Sequence, residues 1–395
     1  MSTLKVDNIR HNNATSDAIT TVADGTCTAK ITSVGGGQLS HRNLIINGAM
    51  TVAQRSTSKT SSGGGYLTVD RFKYVHNGND DNLTQSQADI VAGTTPYTLG
   101  FRKSYKLANG NQTGGAGTGD RCRLQINLEA QDIANSGWNY KSSSSFITLS
   151  FWVKSSVAQN FYGFIRTPDG TSQGYSFETG SLSADTWTKV TKTIPGNSNL
   201  TFDNDVELGW NMEIAQFVGT DRTKSSNTMN QWAAYDSSNQ MPNNTGTWFT
   251  SNGATWEITG IQLEVGDTAT SFEHRSFTEE LARCHRYYNK VFDMEGQSGE
   301  KPASLAVYEN SSTICTTFNF PKMRTIPSLD ITNGTNKFMV RSNNVSDHFD
   351  TLSLRYGTTT TAEIFQGSNV SGTSGYTGFL RGADTDVYIA FQAEL

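Results

Sequence analysis

Two carboxylates, Glu207 and Glu213, are the residues of this sequence that most suggest catalysis. A pair of carboxyl groups held on one sheet can act as acid and base at a glycosidic bond. The two residues share one face of a predicted strand, but six positions of strand rise separate them by roughly 20 Å. That separation is too large for the two residues to act together in catalysis. A carboxylate on another strand is the alternative partner for either of them. We therefore predict no catalytic residue and no enzyme activity, and we interpret both carboxylates as solvated groups on an outer face.

The histidines and cysteines give no pattern typical of metal or cofactor chemistry. The six histidines show neither metal-ligand spacing nor a catalytic triad arrangement. The turn Asn77–Asn82 has enough oxygen atoms to wrap a calcium ion, but it lacks the regular ligand order of a dedicated loop, which favours an exposed hairpin turn. We predict no metal and no cofactor. Four well-separated cysteines are interpreted as free thiols or buried apolar residues: Cys27, Cys122, Cys284 and Cys315.

The aromatic residues include the candidates for ligand binding. Trp232 and Tyr235 lie in a long polar stretch, 219–253, and long loops of compact domains are often functional. We predict that these two residues contact a ligand, with packing of the loop as the alternative. Two turn-rich tips near the end of the chain, 357–361 and 367–378, are equally good candidates for contact with a ligand. Three other tryptophans lie within predicted strands and are expected to fill the core: Trp152, Trp210 and Trp256.

The composition narrows the classes of partner. Only 17% of the 395 residues are charged, against about a quarter in typical globular proteins. The 31 Lys and Arg against 36 Asp and Glu give a net charge of −5 without a basic cluster in the sequence, so we expect no nucleic-acid binding. No run approaches the roughly twenty apolar residues of a membrane span, and MSTLKVDNIR lacks the apolar core of a secretory signal. We expect a soluble protein, made in a cytoplasm, without membrane insertion.

Strands are predicted from Asn43 to about Phe272, because apolar and polar residues alternate there at period two. The clearest run is Val206–Ile214. The alternation changes phase at Gly260, which predicts a β-bulge. About ten such strands, separated by Gly, Asn, Asp and Ser turns, predict an antiparallel sandwich or jelly roll. Two further sets are each expected to share a buried face: Leu99, Phe101, Tyr105 and Leu107; and Cys122, Leu124, Ile126 and Leu128.

One helix is predicted over 276–292. Ser276 can cap it, and Glu279, three residues later, completes a capping box. Glu279 and Arg283 are also spaced for an i,i+4 ion pair. The apolar stripe is expected to pack on one or both of the neighbouring modules, and it consists of Phe277, Leu281, Cys284, Tyr288 and Val291.

These patterns divide the chain into four parts and predict a mainly β fold. Residues 1–40 are polar and are interpreted as an attachment arm, with a disordered tail as the alternative. Residues 41–275 are predicted to form the jelly-roll sandwich, and 276–292 the connecting helix. Residues 293–395 are predicted to form a small C-terminal β-sandwich or knob, whose last strand reaches the final residue and is expected to be tied into a sheet.

Several segments resemble, in order, parts of one protein family. They are NLIINGAMTVAQR (43–55), VDRF (69–72), FITLSFWVKSS (146–156), Trp187–Pro195, ITGIQLEVG (258–266), EELARCHRYY (279–288) and FPKMRTIP (320–327). Together they resemble the jelly-roll module of tail-fibre and tail-spike-like proteins of tailed bacteriophages. MSTLKVDNIR resembles the start of virion fibre proteins from phages of marine bacteria. The resemblance covers most of residues 1–330.

The resemblance implies a homotrimeric virion fibre, in first place a tail fibre, attached to other virion proteins through the N-terminal arm. In such a trimer, the helix stripe is expected to pack either at the threefold axis or against its own sheet. The jelly roll of this family is similar in outline to carbohydrate-binding modules, which implies contact with host-surface glycans. The resemblance names no catalytic residue. The first alternative to a tail fibre is a head fibre that decorates the capsid. The second alternative is a tail spike that depolymerises a glycan.

Overall fold

The computed structural model describes residues 6–10, 19–21, 23, 27–29 and 41–395. Within the first forty residues, the described backbone forms a three-stranded antiparallel sheet of β1 (Asn8–Ile9), β2 (Ile19–Thr21) and β3 (Cys27–Ala29). Most of the segment predicted as an attachment arm, 1–40, lies outside the described residues. Its attachment role stays a prediction. Among the helices that the structure describes, none has the length and apolar character needed to cross a lipid bilayer.

A first module is formed by two antiparallel six-stranded sheets packed face to face. Its elements are β4 (Ser58–Ser61), β5 (Phe72–Asn77), β6 (Leu83–Asp89), α1 (Thr95–Thr98), β7 (Lys103–Ala108), β8 (Arg121–Glu129), α2 (Ala130–Ala134), β9 (Phe146–Ser155), β10 (Asn160–Thr167), β11 (Gln173–Ser181), β12 (Thr188–Pro195), β13 (Leu208–Val218), β14 (Trp232–Ala234) and β15 (Thr255–Val265). The first sheet has the order β14-β11-β10-β13-β8-β5, and the second the order β12-β9-β15-β7-β6-β4. The chain thus crosses repeatedly between the sheets, and the predicted mainly β, jelly-roll architecture is confirmed.

The core of the first module lies between the two sheets and follows the period-two pattern of the strands. Trp210 and Trp256 are fully buried, as predicted. The predicted face of β8 is buried as well, with Cys122, Leu124, Ile126 and Leu128 all in the core.

Two other predicted strand faces need correction. Leu99 is 51% exposed, because it follows the short helix α1 and precedes β7. In the run 206–214, the strand begins only at Leu208, and its pairing with β8 shifts between Leu208 and Trp210. Such an irregularity turns the residues before it to a different side of the sheet. Val206 therefore lies outside the strand and Leu208 outside the core.

The change of phase in β15 is a β-bulge, as the sequence predicts. The register with β9 shifts between Thr259 and Gln262. Gly260, inside this shift, has a φ of 64°, a conformation in the left-handed region that favours glycine. A Cβ atom at this position would approach the Phe101 ring to 2.6 Å. The bulge keeps the apolar residues on both sides of it directed into the core.

Two buried asparagines fix the segment that precedes the first strand of the sandwich. The Asn43 side chain donates to the carbonyl of Ile261 (3.0 Å) and accepts from the backbone N–H of Leu263 (3.1 Å). The Asn47 side chain donates to the carbonyls of Val52 and Asp70. These amides satisfy backbone groups that have no ladder partner, as buried groups require. The segment therefore packs on β15 without itself being a strand.

The connecting helix α3 (Phe277–Cys284) is shorter than predicted. Ser276 caps it by accepting from the backbone N–H of Glu279 (3.2 Å), and Glu279 pairs with Arg283 (3.1 Å), as the sequence indicates. The predicted stripe is wrong in part, because Phe277 is 58% exposed and Tyr288 begins the next strand. Leu281 is half-buried, and Cys284 and Tyr288 are buried within the chain. Neither buried residue is therefore available for a threefold axis.

The second module follows the helix and contains two further antiparallel sheets. Its strands are β16 (Tyr288–Asp293), β17 (Lys301–Asn310), β18 (Thr313–Asn319), β19 (Ser328–Ile331), β20 (Phe338–Ser342), β21 (Val345–Phe349), β22 (Ser353–Gly357), β23 (Thr361–Gln366), β24 (Thr377–Gly382) and β25 (Tyr388–Gln392). One sheet has the order β16-β25-β19 and the other β21-β20-β24-β17-β18-β23-β22. Strand β25 is paired on both edges, so the last strand is tied into a sheet, as predicted, but it ends at Gln392 and not at the final residue.

A buried polar contact, here called the joint, connects the two modules through Arg71, Glu129, Arg286, Tyr287 and Glu394. Arg71 is 3% exposed and forms an ion pair with Glu394, while its guanidinium carbon lies 3.3 Å from the centre of the Tyr287 ring. The Glu129 carboxylate is fully buried and accepts from Arg286 Nε (2.7 Å) and Nη2 (2.6 Å) and from the Tyr287 hydroxyl (2.5 Å). The modules therefore meet through oppositely charged groups that form ion pairs.

Candidate functional site

A groove lies on the outer face of the first sheet, where the loop 219–253 folds back over the strands. Val218 and Met241 clamp this loop by packing on Phe164 and Ala215 of the outer face. Further hydrogen bonds fix it, such as the bond from the Ser176 hydroxyl to the carbonyl of Gln240 (2.7 Å). The loop predicted to carry ligand contacts is thus a fixed wall beside a polar sheet surface.

The groove has a cavity volume of about 190 Å³. Its floor comes from outward-facing positions of β8, β10 and β13, and its wall from the loop. Most of its lining side chains are charged, amide-bearing or aromatic: Arg123, Gln125, Phe164, Arg166, Leu208, Asn211, Glu213, Arg222, Tyr235 and Gln240. These groups offer both donors and acceptors beside an aromatic ring, which is the character of a site for a polar small molecule.

Tyr235, a predicted ligand residue, forms part of the groove wall. Its ring lies 4.2 Å from the Arg166 guanidinium carbon and 6.0 Å from the Phe164 ring, centre to centre. Its hydroxyl accepts from the Gln240 side chain (3.0 Å). Stacking of a guanidinium on the ring restricts both side chains. Tyr235 is therefore preorganised in the groove.

Trp232, the other predicted ligand residue, faces away from the groove. Its indole packs on Tyr175 and Trp210, with ring centres 5.2 and 6.0 Å away, and its Nε1–H donates to the carbonyl of Pro195 (2.7 Å). The structure thus gives Trp232 the packing position that was the alternative interpretation. It holds the edge strand β14 against the sandwich.

Glu213 is the one carboxylate among the residues that line the groove. It is 5% exposed and pairs with Arg123 at 2.6 Å. Burial raises the pKa of Glu213, and the positive charge of Arg123 partly offsets this. Glu207, its predicted neighbour on one strand, precedes β13 and pairs instead with Arg324 of the second module (3.3 Å). The two carboxylates therefore have separate partners, and the expectation that both are solvated is wrong for Glu213, which is buried against Arg123.

A second surface lies on the outer face of the second sheet. Trp152 was expected in the core, but it is half-buried and lines a cavity of about 300 Å³ together with Lys189, Phe272 and His274. The sequence carried a signal for this, because Trp152 is out of phase with the buried Leu149 and Phe151 of the same strand. The correction places one tryptophan outside the core.

The turn-rich tips of the second module also form a cavity, of about 220 Å³. Tyr376, which is 49% exposed, and Asp347 both line it. The Asp347 carboxylate accepts from the Tyr308 hydroxyl (2.8 Å) and from the backbone N–H of Ser371 (2.8 Å). This tip remains a second candidate for contact with a ligand.

The turn Asn77–Asn82 is held by the glycine-rich loop beside it. The Asp80 carboxylate accepts from the backbone N–H groups of Thr113 and Gly114, and Asp81 accepts from that of Asn111. In the described part of the chain, no group of three or more His, Cys, Asp or Glu residues is arranged to hold a metal ion. The acidic side chains of this turn serve to fix a loop.

Most of the groove could not be predicted from the sequence. Arg123, Gln125 and Arg166 were recognisable only as outward positions of predicted strands, which is where a solvated surface is also found. Arg222 and Gln240 reach the groove because the loop folds over the sheet, and no periodic signal in the loop indicates that path. The described site is a preformed polar groove on a sheet of a two-module β protein.

Comparison with known proteins gives only distant similarity. No protein-family model and no curated protein sequence matches the chain. Similar solved structures include the enzymatically active domain of tailspike protein 4 of bacteriophage CBA120, with 11% identity, a TM-score of 0.30, and coverage of 56% of this chain but 21% of that one. Others are the N-terminal cellulose-binding domain of a Cellulomonas fimi β-1,4-glucanase (9% identity, TM-score 0.27, 55% and 99% covered) and a family 11 carbohydrate-binding module from Clostridium thermocellum (11%, 0.25, 54% and 98%). Nothing about binding or activity is carried over from them to this chain.

Proposed function

We propose that this chain is a virion appendage subunit of a tailed bacteriophage, in first place a tail fibre, that attaches the particle to a host-surface glycan. The ordered series of segments from Asn43 to Pro327 supports the fibre assignment through its resemblance to that family. The groove beside Tyr235 supports the binding role. Its aromatic wall, planar amides and charged groups match the ring faces and hydroxyl groups of a sugar.

We further propose that the groove binds without cleaving. Hydrolysis of a glycosidic bond by the common mechanisms needs two carboxyl groups about 5 to 9.5 Å apart. The lining of the groove supplies only Glu213, and its partner is the Arg123 guanidinium. Incubation of the protein with host polysaccharide, followed by a reducing-end assay, tests this directly. The appearance of shortened chains would contradict it.

The proposed appendage is a homotrimer anchored to other virion proteins by residues 1–40. Three copies per fibre convert modest affinities into firm adhesion by raising the effective concentration of the sites. Light scattering at virion-like concentration measures the mass, and a monomeric mass argues against the trimer. Labelled particles in electron micrographs separate a tail fibre from a head fibre.

The binding role is tested by substituting Tyr235 and measuring affinity for a panel of immobilised neutral and acidic glycans. Tyr235→Ala is expected to weaken binding about tenfold, or about 1.4 kcal/mol, because it removes the wall and frees Arg166. The comparison variant is Tyr376→Ala, at the tip of the second module, which is the other candidate site. If only Tyr376→Ala weakens binding, the tip is the site and the groove is not.

A further inference from the structure

The groove carries an excess of positive charge. Four arginines surround it: Arg123, Arg166 and Arg222 line it, and Arg121 projects from the same face of β8 as Arg123, two residues away. Against these four guanidinium groups stands one carboxylate, Glu213, which leaves three uncompensated positive charges. The chain as a whole has the opposite sign, with a net charge of −5.

Among the residues that the structure describes, only one of the four arginines has an ion-pair partner. Arg123 pairs with Glu213 at 2.6 Å. Within the described ranges, no carboxylate lies within 4.0 Å of the guanidinium nitrogens of Arg121, Arg166 or Arg222. The adjoining carboxylate of Asp120 is used elsewhere, since it accepts from the backbone N–H of Gly117 (2.6 Å). The excess charge is therefore a property of the groove.

The arginines are also close enough to repel one another. Burial lowers the pKa of Arg121, and the positive charges of Arg123 and Arg222 lower it further. The Nε–H groups of Arg121 and Arg123 are buried without a hydrogen-bond partner among the described residues. Like charges held close together cost free energy, and an anion bound by the exposed parts of these guanidinium groups would relieve that cost.

The geometry points to an acidic sugar unit, bearing a carboxylate or a sulfate, as the ligand of this groove; this inference rests on the glycan-binding role proposed above. The anionic group would be held by Arg121, Arg123 and Arg222, because guanidinium groups bind carboxylate and sulfate oxygens through paired N–H donors. Tyr235 and Arg166, stacked on each other, would flank the sugar ring. Glu213 opposes the anion and limits its affinity.

Two matched pairs of polymers test the charge requirement. Polygalacturonate is compared with its fully methyl-esterified form, and dextran sulfate with dextran, by calorimetric titration in low and in moderate salt. The acidic member of at least one pair is expected to bind about tenfold tighter than the neutral member. Moderate salt should weaken the binding of the acidic member. The pair that shows the difference distinguishes a carboxylated from a sulfated ligand.

Substitutions test whether the preference for the acidic polymer comes from the groove. Arg121→Gln and Arg222→Gln are each expected to reduce affinity for the acidic polymer five- to tenfold, with little change in binding of the neutral one. Glu213→Gln is expected to raise affinity for the acidic polymer, because it removes the opposing charge. Arg102→Gln, an exposed arginine stacked on Tyr97 and outside the groove lining, is the control.

The possible failures are distinguishable. Equal binding of charged and neutral polymers, lost in Tyr235→Ala, overturns the acidic ligand but leaves the glycan-binding role intact. Charge-selective binding that Arg102→Gln weakens as much as Arg222→Gln overturns the assignment to the groove. Absence of binding to every polymer and to the glycan panel overturns both proposals.

Discussion

Removal of the Glu129 carboxylate is expected to destabilise the protein strongly through the joint. The carboxylate is fully buried and accepts from Arg286, Tyr287 and, at 2.6 Å, from the Gln131 side chain. Breaking a buried ion pair by deleting one partner costs about 3 to 5 kcal/mol. Because the Arg286 side chain is 28% exposed, water can reach its guanidinium, so we expect the lower end, about 3 kcal/mol, for Glu129→Ala.

Urea unfolding followed by tryptophan fluorescence measures this loss, and about 3 kcal/mol corresponds to a roughly hundredfold shift of the unfolding equilibrium. Glu129→Gln retains an acceptor for Tyr287 and should lose less. The control is Glu207→Gln: its side chain is 66% exposed at the salt bridge to Arg324, so the cost should stay below about 1 kcal/mol. If Glu129→Ala unfolds at the same urea concentration as Glu207→Gln, the joint does not stabilise the molecule.

The contribution of the joint should also depend on pH in a defined direction. Burial alone would raise the pKa of Glu129, but the hydrogen bonds from Arg286 and Tyr287 outweigh it, and the pKa lies below 4.5. Stabilisation by a carboxylate with a lowered pKa is complete above its unfolded value and is lost as the pH falls through its folded value. The difference in unfolding free energy between the native protein and Glu129→Ala should therefore shrink below about pH 4.5.

Two further predictions concern single side chains. Gly260→Val should cost about 1 to 3 kcal/mol in urea unfolding, because a φ of 64° is strained for valine and its Cβ would clash with the Phe101 ring; an unchanged midpoint would contradict the bulge. Burial and the charge of Glu129 raise the pKa of Asp132 from 3.8 to about 6, so stability from this group falls as the pH rises between those values. Asp132→Asn should remove that slope and gain about 1 to 2 kcal/mol at pH 8, and an unaltered pH profile would refute it.

The sandwich could be predicted because half-buried strands leave a strong local signal. Alternation at period two identified the buried face of β8, and the change of phase identified the bulge at Gly260. The same signal was sufficient to place Trp152 on the outer face, since it shares its phase with Thr148 and Ser150. A tryptophan in a strand is most often a core residue, and that general preference was given more weight than the pattern.

Features that depend on distant partners could not be predicted. The helix was extended to residue 292 because Tyr288 and Val291 continue its apolar spacing, but both belong to strand β16, which pairs with β25 about a hundred positions later. Tyr288 pairs with Gln392, and Val291 lies at a shift in the register. Long-range pairing of this kind overrides local propensity. The groove is a similar case, since Arg222 reaches Arg123 only through the path of a folded loop.

The place of β25 in the fold determines the order of events during translation. The strands of the first module are all synthesised before residue 266, so its core can close while the nascent chain is still growing. The three-stranded sheet of the second module lacks its central strand until residues 388–392 leave the ribosome. Until Arg286 and Glu394 have been synthesised, Glu129 and Arg71 lack their ion-pair partners. A premature stop codon just before β25 would thus leave one module unfinished and the other with unpaired charges on the surface where the joint should form.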